Sequence, residues 1–328
     1  MRTPTIAVLI PCYNEAGAIQ AVVRDFRTAL PQAAIYVYDN NSTDQTAELA
    51  REAGAVVRTE VQQGKGSVVR RMFRDIEADF YMMVDGDGTY DASVARSMLQ
   101  LAIGGPYDLV NCIRQATEEA AYRGGHKFGN FMLTGVVRRI FGDRVQDMLS
   151  GYKVFSRRFV KSFPALSHGF DVETELTVHA LELSMPVAHI DGPYRGRVEG
   201  SASKLRTYRD GWRILMLIFK LVRHERPMFF FSAIAALLAA CSLGLLAPVV
   251  EEYVQTGLVP RLPTAILSMG TMMMACLSFV TGTMLDTVTR GRRETRMLAY
   301  LQHPAFFAVS EETARAEASM SYSSVRPS

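Results

Sequence analysis

No CxxC pair and no Cys/His ligand spacing occurs among the four cysteines, Cys12, Cys112, Cys241 and Cys276. A zinc ribbon and a disulfide-stapled secreted fold are therefore excluded, and a reducing cytosol is the expected compartment. Net charge is scarce as well, +3 over 328 residues, which is too little for a nucleic-acid partner and makes any basic site a local one. No secretory signal peptide is expected, because Met1 to Ile10 offers one arginine and then a short apolar strand ending at Pro11. Internal repeats are missing. Two nucleotide-binding fingerprints fail at single positions around "QQGKGS", Gln62 to Ser67. Thr59 replaces the first glycine of a P-loop and Gly66 its Ser/Thr, while Val69 replaces the third glycine of GxGxxG. What remains is a glycine-flanked lysine, Lys65, at a helix start, with Arg70 and Arg71 one turn on, a weak anion site at most.

Length and a 48% hydrophobic composition allow one large or two ordinary domains with a real core. The C-terminal third differs from the rest. Met228 to Val250 and Pro263 to Leu285 are uncharged runs, each long enough to cross a hydrocarbon core of about 30 Å. Two membrane spans are expected in preference to two buried core helices. Arg223 and Arg226 precede the first, and Arg290, Arg292, Arg293 and Arg296 follow the second, whereas the connecting loop has Arg261 against Glu251 and Glu252. That asymmetry places both chain ends in the cytoplasm. Immediately upstream, "KLRTYRDGWRILMLIFKLVRHER" (Lys204 to Arg226) interleaves basic residues with apolar ones and the only tryptophan, Trp212. It suits a helix in the headgroup layer, the alternative being a basic-edged core helix. Beyond Pro304 the chain turns Ala/Ser/Glu-rich, which predicts disorder.

The first part alternates apolar strands with helical patterns. Strands are expected at Ile6 to Ile10, Ile35 to Tyr38, Ala55 to Arg58, Tyr81 to Val84 and Leu109 to Ile113, which gives a largely parallel α/β sheet. Ligands of such sheets bind beyond the carboxyl ends of the strands. There lie "PCYNE" (Pro11 to Glu15), "DNNSTD" (Asp39 to Asp44) and "DGDG" (Asp85 to Gly88). Ser42 with Gln45 has capping-box spacing and Gly54 is placed to close that helix, so Asp39 is the member free of structural duty. In "MMVDGDGTYD", Asp85 and Asp87 share one face of an extended segment and can point together at a hard cation, with glycines leaving room for a phosphate. A solvated turn has the same composition, but several polar motifs at one sheet edge favour a site.

Taken in order, "IPCYNE", "VYDNNSTD", "GKG", "MVDGDGTYD", "QDMLSGYKVFSR" and "EGSASK" resemble the family 2 glycosyltransferases of GT-A fold. The likeness is to the polyprenyl-phosphate branch that includes dolichol-phosphate mannosyltransferase and bacterial GtrB-type glucosyltransferases, and it covers residues 5 to about 226. It implies a Rossmann-like, mostly parallel GT-A catalytic domain over 1–203, and two spans after that domain also resemble the GtrB type; composition divides the rest into an interfacial helix over 204–226, two transmembrane helices within 227–289 and a partly disordered cytoplasmic tail over 290–328. The likeness also implies an inverting transfer of one sugar from a nucleotide sugar to a polyprenyl phosphate at the cytoplasmic face of the inner membrane, with Mg²⁺ or Mn²⁺ as cofactor. By motif match Pro11, Tyr13, Glu15 and Asp39 would hold the nucleoside, Lys65 the donor phosphates, Asp85 and Asp87 the metal, and Arg197 and Lys204 would lie over the diphosphate. "EGSASK" carries one residue more than the family loop, so Ser201 and Ser203 are both candidates beside them.

Arg123, Lys127, Arg138, Arg139 and Arg144, with Ser150, are candidates for the acceptor phosphate, some of the basic residues being expected only to snorkel or meet lipid headgroups. Asp147 matches the family's acceptor-side aspartate; as a base it would be dispensable, because a phosphate monoester is already ionised at neutral pH. Orienting the acceptor or metal is the other role. Glu173 and Glu175 match family acids but equally fit a solvated or salt-bridged helix face, and the lone His179 is expected to be structural. Self-association through the transmembrane helices is a further expectation. A processive polysaccharide synthase is disfavoured by the lack of a QxxRW-like segment, and a non-catalytic adaptor by the intact Asp85 and Asp87.

Overall fold

The computed structural model describes residues 3–116, 146–165, 172–195 and 226–306, with single positions 135, 216, 219, 222 and 223. Two units emerge, one of residues 1–207 joined by 296–328, the other of residues 208–295.

The first unit is built on a seven-stranded sheet of order β3-β2-β1-β4-β6-β5-β7. Its strands are β1 (Ile6–Cys12), β2 (Ala34–Asp39), β3 (Val56–Thr59), β4 (Phe80–Met83), β5 (Leu109–Ala116), β6 (Lys153–Ser156) and β7 (Val187–Tyr194). The mostly parallel α/β class expected from the sequence is the one observed. β1 is buried along its whole length because both sheet faces are covered. Ile6, Val8, Ile10 and Cys12 enter one core with Ile19, Val22 and Phe26, while Ala7 and Leu9 enter the other with Val68, Met72 and Phe73. Those partners come from α1 (Ile19–Ala29) and α3 (Lys65–Asp75), with α2 (Thr46–Glu52) between them in sequence. The remaining helices of this unit are α4 (Ala95–Gly104), α5 (Arg157–Ser162) and α6 (Val172–Glu182).

β6 was not expected, and it alone among the described strands runs against the others, pairing antiparallel with both β4 and β5. Its first residue therefore lies at the edge where the parallel strands end: Lys153 stands opposite Met83 of β4 and Asn111 of β5. The segment preceding β6 is thereby delivered to the carboxyl-end edge, next to the loop that follows β4.

The expected Ser42–Gln45 capping box does not form. α2 begins at Thr46 with no side-chain cap from Gln45, and the Ser42 hydroxyl instead accepts the backbone N–H of Asn14 at 2.9 Å. Gly54 does close the helix, at φ +91°. Residues 296–306 are also more than a tail. Arg296 binds Glu182 at 2.5 Å. The Tyr300 hydroxyl donates to the buried Asp108 at 2.7 Å beneath the Arg158 guanidinium, and Phe306 packs edge-on against Phe80.

The second unit contains α7 (Pro227–Thr256) and most of α8 (Leu262–Leu301), two helices long and apolar enough to cross a membrane. Small residues line their contact. Ala235, Ser242, Ser268, Ala275 and Gly282 are buried, Ser242 donates to the Ser268 carbonyl at 2.7 Å, and a Cβ at Gly282 would come within 2.8 Å of Phe231. Larger side chains such as Leu237, Leu243, Met269 and Met273 point outward, the division seen where lipid replaces water around packed helices. The interfacial helix expected over Lys204 to Arg226 lies almost wholly outside the described residues.

Candidate active site

Three loops meet at the carboxyl edge of β1, β2 and β3. Asn14, in the left-handed region at φ 54°, accepts the Thr43 N–H at 2.8 Å, and the Glu15 N–H donates to the Thr46 hydroxyl at 2.9 Å. The motifs after β1 and β2 are thus tied to each other. Asn40 extends the knot: its amide donates to the carbonyls of Glu60 and Gln62 and accepts the Gly64 N–H, which fixes the turn leading into α3. Asp39 is 5% exposed. Its Oδ2 takes the Ser42 N–H, whereas its buried Oδ1 has no hydrogen-bond partner. Pro11 is buried in β1 and Tyr13 and Glu15 are half-buried in the loop that follows.

Lys65 opens α3 after Gly64, whose φ of 121° few side chains could adopt. Its ammonium reaches Asp85 Oδ1 at 2.5 Å and also binds Glu173 at the start of α6. Burial opposes the charge, but the two carboxylates outweigh it and hold Lys65 protonated well above the ordinary lysine range. Glu173 is accordingly a buried member of the site, its second oxygen without a hydrogen-bond partner. Arg70 and Arg71 do not serve as anion ligands: Arg70 donates to the Ala165 carbonyl, and Arg71 pairs with Asp75 and Glu60.

The loop after β4 is held tightly. Asp87 is buried and accepts the N–H and the hydroxyl of Thr89 at 3.2 and 2.6 Å. A Cβ at Gly86 would sit 2.5 Å from Cys12 Sγ, and one at Gly151 would sit 2.2 Å from Asp85 Oδ2. Gly151 is thus the surface on which the Asp85 carboxylate rests, and its N–H is anchored on the Tyr90 hydroxyl at 2.7 Å.

Asp147 lies on the same short segment as Gly151. It adopts φ 48°, and Arg114 of β5 grips both its oxygens, Nη2 to Oδ1 at 2.6 Å and Nε to Oδ2 at 2.8 Å. Burial would raise this carboxyl, but the Arg114 hydrogen bonds and charge bring it below the usual range. Such a carboxylate is a poor proton acceptor near neutral pH. Arg114, which also lies over the Tyr194 ring, escaped the sequence reading, although it occupies the strand-end edge that singled out Asp39 and Asp85. Ser150 is fully buried, and its hydroxyl accepts the Tyr152 N–H. Arg123, Lys127, Arg138, Arg139, Arg144, Arg197, Ser201, Ser203 and Lys204 lie outside the described residues. His179 is a core residue, hydrogen-bonded to Ser162 and flanked by Phe159 and Phe163, with burial lowering it to about 3.

Residues 7–163 match the pattern of glycosyl transferase family 2. The glycosyltransferase AglJ of Haloferax volcanii is 33% identical over 90% of this chain and 97% of its own length. The chain belongs to glycosyl transferase family 2. A dolichyl-phosphate hexose transferase of the same organism is 26% identical over 67% of this chain and 95% of its own. Among solved structures, glucosyl-3-phosphoglycerate synthase from Mycobacterium tuberculosis, in complex with Mn²⁺, uridine diphosphate and glucosyl-3-phosphoglycerate, superposes with a TM-score of 0.55 at 22% identity. That match covers 67% of this chain and 79% of the other, and it supports the GT-A fold.

Proposed function

We propose that this family 2 glycosyltransferase moves a single sugar from a nucleoside-diphosphate sugar to a polyprenyl phosphate. The observation that carries the proposal is the contact between the Asp85 carboxylate and Gly151, which sets the acidic loop after β4 against the segment bearing Asp147, the partner of Arg114 on β5. On the donor side, the unpartnered Asp39 Oδ1 offers an acceptor to an N–H of the nucleobase, and Lys65 with the α3 N-terminus offers charge and amides to a diphosphate.

The residues fit a divalent metal. Asp85 and Asp87 supply hard oxygens, and Asp85 already receives a cation in the Lys65 ammonium. Among the described residues no three His, Cys, Asp or Glu side chains form a complete cage, so the remaining ligands would be donor phosphates and water. Mg²⁺ or Mn²⁺ held there would neutralise the departing nucleoside diphosphate. Both ions accompany uridine diphosphate in the mycobacterial synthase complexes.

Transfer is a single displacement with inversion. An acceptor phosphate oxygen forms a bond to the anomeric carbon as that carbon's bond to the diphosphate oxygen breaks. No base is required, since a phosphate monoester with a second pKa near ~6 is ionised at neutral pH. Asp147, kept ionised by Arg114, orients that guanidinium rather than taking a proton. The two apolar helices would keep the site close to a lipid acceptor, and arginines flanking them would set both ends on the cytoplasmic side of the inner membrane. Membranes containing the protein, incubated with undecaprenyl phosphate and a panel of labelled nucleotide sugars, should transfer label from one of them to the lipid. Label released as free sugar or built into a polymer would contradict the proposal.

A further inference from the structure

Lys153 is fully buried, and Asn111 nearly so. They face each other across the antiparallel β5–β6 pair, and Lys153 Nζ donates to Asn111 Oδ1 at 2.6 Å. This contact decides which way the amide points. With Oδ1 committed to an ammonium, Nδ2 must face the other way, and it donates to the carbonyls of Gln146 and Asp147 at 2.8 and 3.2 Å. Flipping the amide would set an oxygen against two carbonyls and a donor against a cation. Asp147 gains from such a clamp, because its φ of 48° lies in the left-handed region, which costs a side chain bearing a Cβ even though aspartate enters it more readily than most.

Stability alone does not account for Lys153. An ammonium taken wholly out of water is unfavourable unless paired, and among the described residues it makes no ion pair within salt-bridge distance. Asp147 and Glu173 favour its charge from nearby, while burial, Arg114 and Lys65 oppose it. A methionine would fill the space without that penalty.

We infer that Asn111 and Lys153 are positioning residues that fix the backbone of Asp147, and through it the Arg114 guanidinium, for the acceptor. The inference rests on the proposal that the Arg114–Asp147 pair serves the acceptor side. The test uses the full-length protein with polyprenyl phosphate and the nucleotide sugar it accepts, comparing N111D, K153M and D147A in acceptor kinetics, donor binding and thermal stability.

N111D is isosteric and keeps an acceptor for Lys153, now as an ion pair, which offsets part of the cost of setting a carboxylate oxygen against the 146–147 carbonyls; the fold should hold with at most a modest loss of thermal stability, while both donors to those carbonyls are lost. The expected result is a fall of ~10-fold or more in kcat/KM for the acceptor in N111D and in K153M, with donor affinity within about twofold of wild type. The double variant should be no worse than the poorer single one, because both changes break the same clamp. Unchanged acceptor kinetics in a folded N111D, or parallel loss of donor affinity in both variants, would overturn the inference. If D147A itself keeps full acceptor kinetics, the acceptor reading of Asp147 falls and the inference with it. If D147A is impaired while N111D and K153M are not, only the inference fails.

Discussion

Replacing Gly151 with alanine separates stability from function. The added Cβ would lie 2.2 Å from Asp85 Oδ2 and 2.6 Å from its Cγ, where ordinary contact begins near 3.4 Å. The carboxylate must therefore retreat by about 1.2 Å, from 3.4 − 2.2. The obstacle is the end of a short side chain that is 29% exposed, so Asp85 can rotate away, and the folding penalty should stay at the low end of the roughly 1–3 kcal/mol typical of overpacking. The same movement pulls Asp85 off Lys65 and out of register with Asp87. A displacement of about 1 Å at a reacting centre can cost ~100-fold in rate. Transfer by purified Gly151→Ala should thus fall about 100-fold, roughly 3 kcal/mol of barrier, while its melting temperature drops by only a few degrees. Activity within threefold of wild type would refute the role given to Gly151 and the placement of Asp85 against it.

Burial pushes the Lys153 ammonium down to about 8 from the ordinary 10.5 of a lysine. Between those values the unfolded chain holds the proton that the native state has released, so this residue makes stability rise with pH across that window. The lowering from 10.5 to 8 amounts to roughly 3–4 kcal/mol. The difference in unfolding free energy between wild type and Lys153→Met, in which the other buried groups cancel, should therefore move in favour of wild type from pH 8 to 10.5; a flat or opposite trend would contradict it. Tyr300→Phe should lower thermal stability by about 1–2 kcal/mol, because Asp108 is buried and loses the Tyr300 hydroxyl while keeping Arg158 and Ser156. An unchanged melting temperature would show that the Tyr300 hydroxyl adds nothing to the stability of the first unit.

Much of the carboxyl edge of the sheet was legible because its signals are local. Apolar strands ending in Asp39 or in Asp85-Gly-Asp87 can be read without knowing their neighbours. β6 escaped because it is four residues long and begins with a lysine, a residue type that rarely marks a buried strand. β7 contains a glycine and a proline near its end, residue types that weaken the pattern of a strand. The capping box failed because spacing alone cannot reveal that Asn14, far off in sequence, takes the Ser42 hydroxyl. Arg114 and Asn111 were hidden for the same reason: their partners, Asp147 and Lys153, arrive only when the chain returns as an antiparallel strand. The ties of Arg296 and Tyr300 to Glu182 and Asp108 are likewise beyond composition.

The central claim is most directly tested by mass spectrometry of the lipid product made by purified wild-type protein and by Asp87→Ala from a nucleotide sugar and undecaprenyl phosphate. The account predicts a lipid heavier by one sugar residue for wild type, abolished by EDTA and restored by Mg²⁺ or Mn²⁺, and no such product from a folded Asp87→Ala. A wild-type lipid of unchanged mass, or a full yield from Asp87→Ala that EDTA still abolishes, would contradict it.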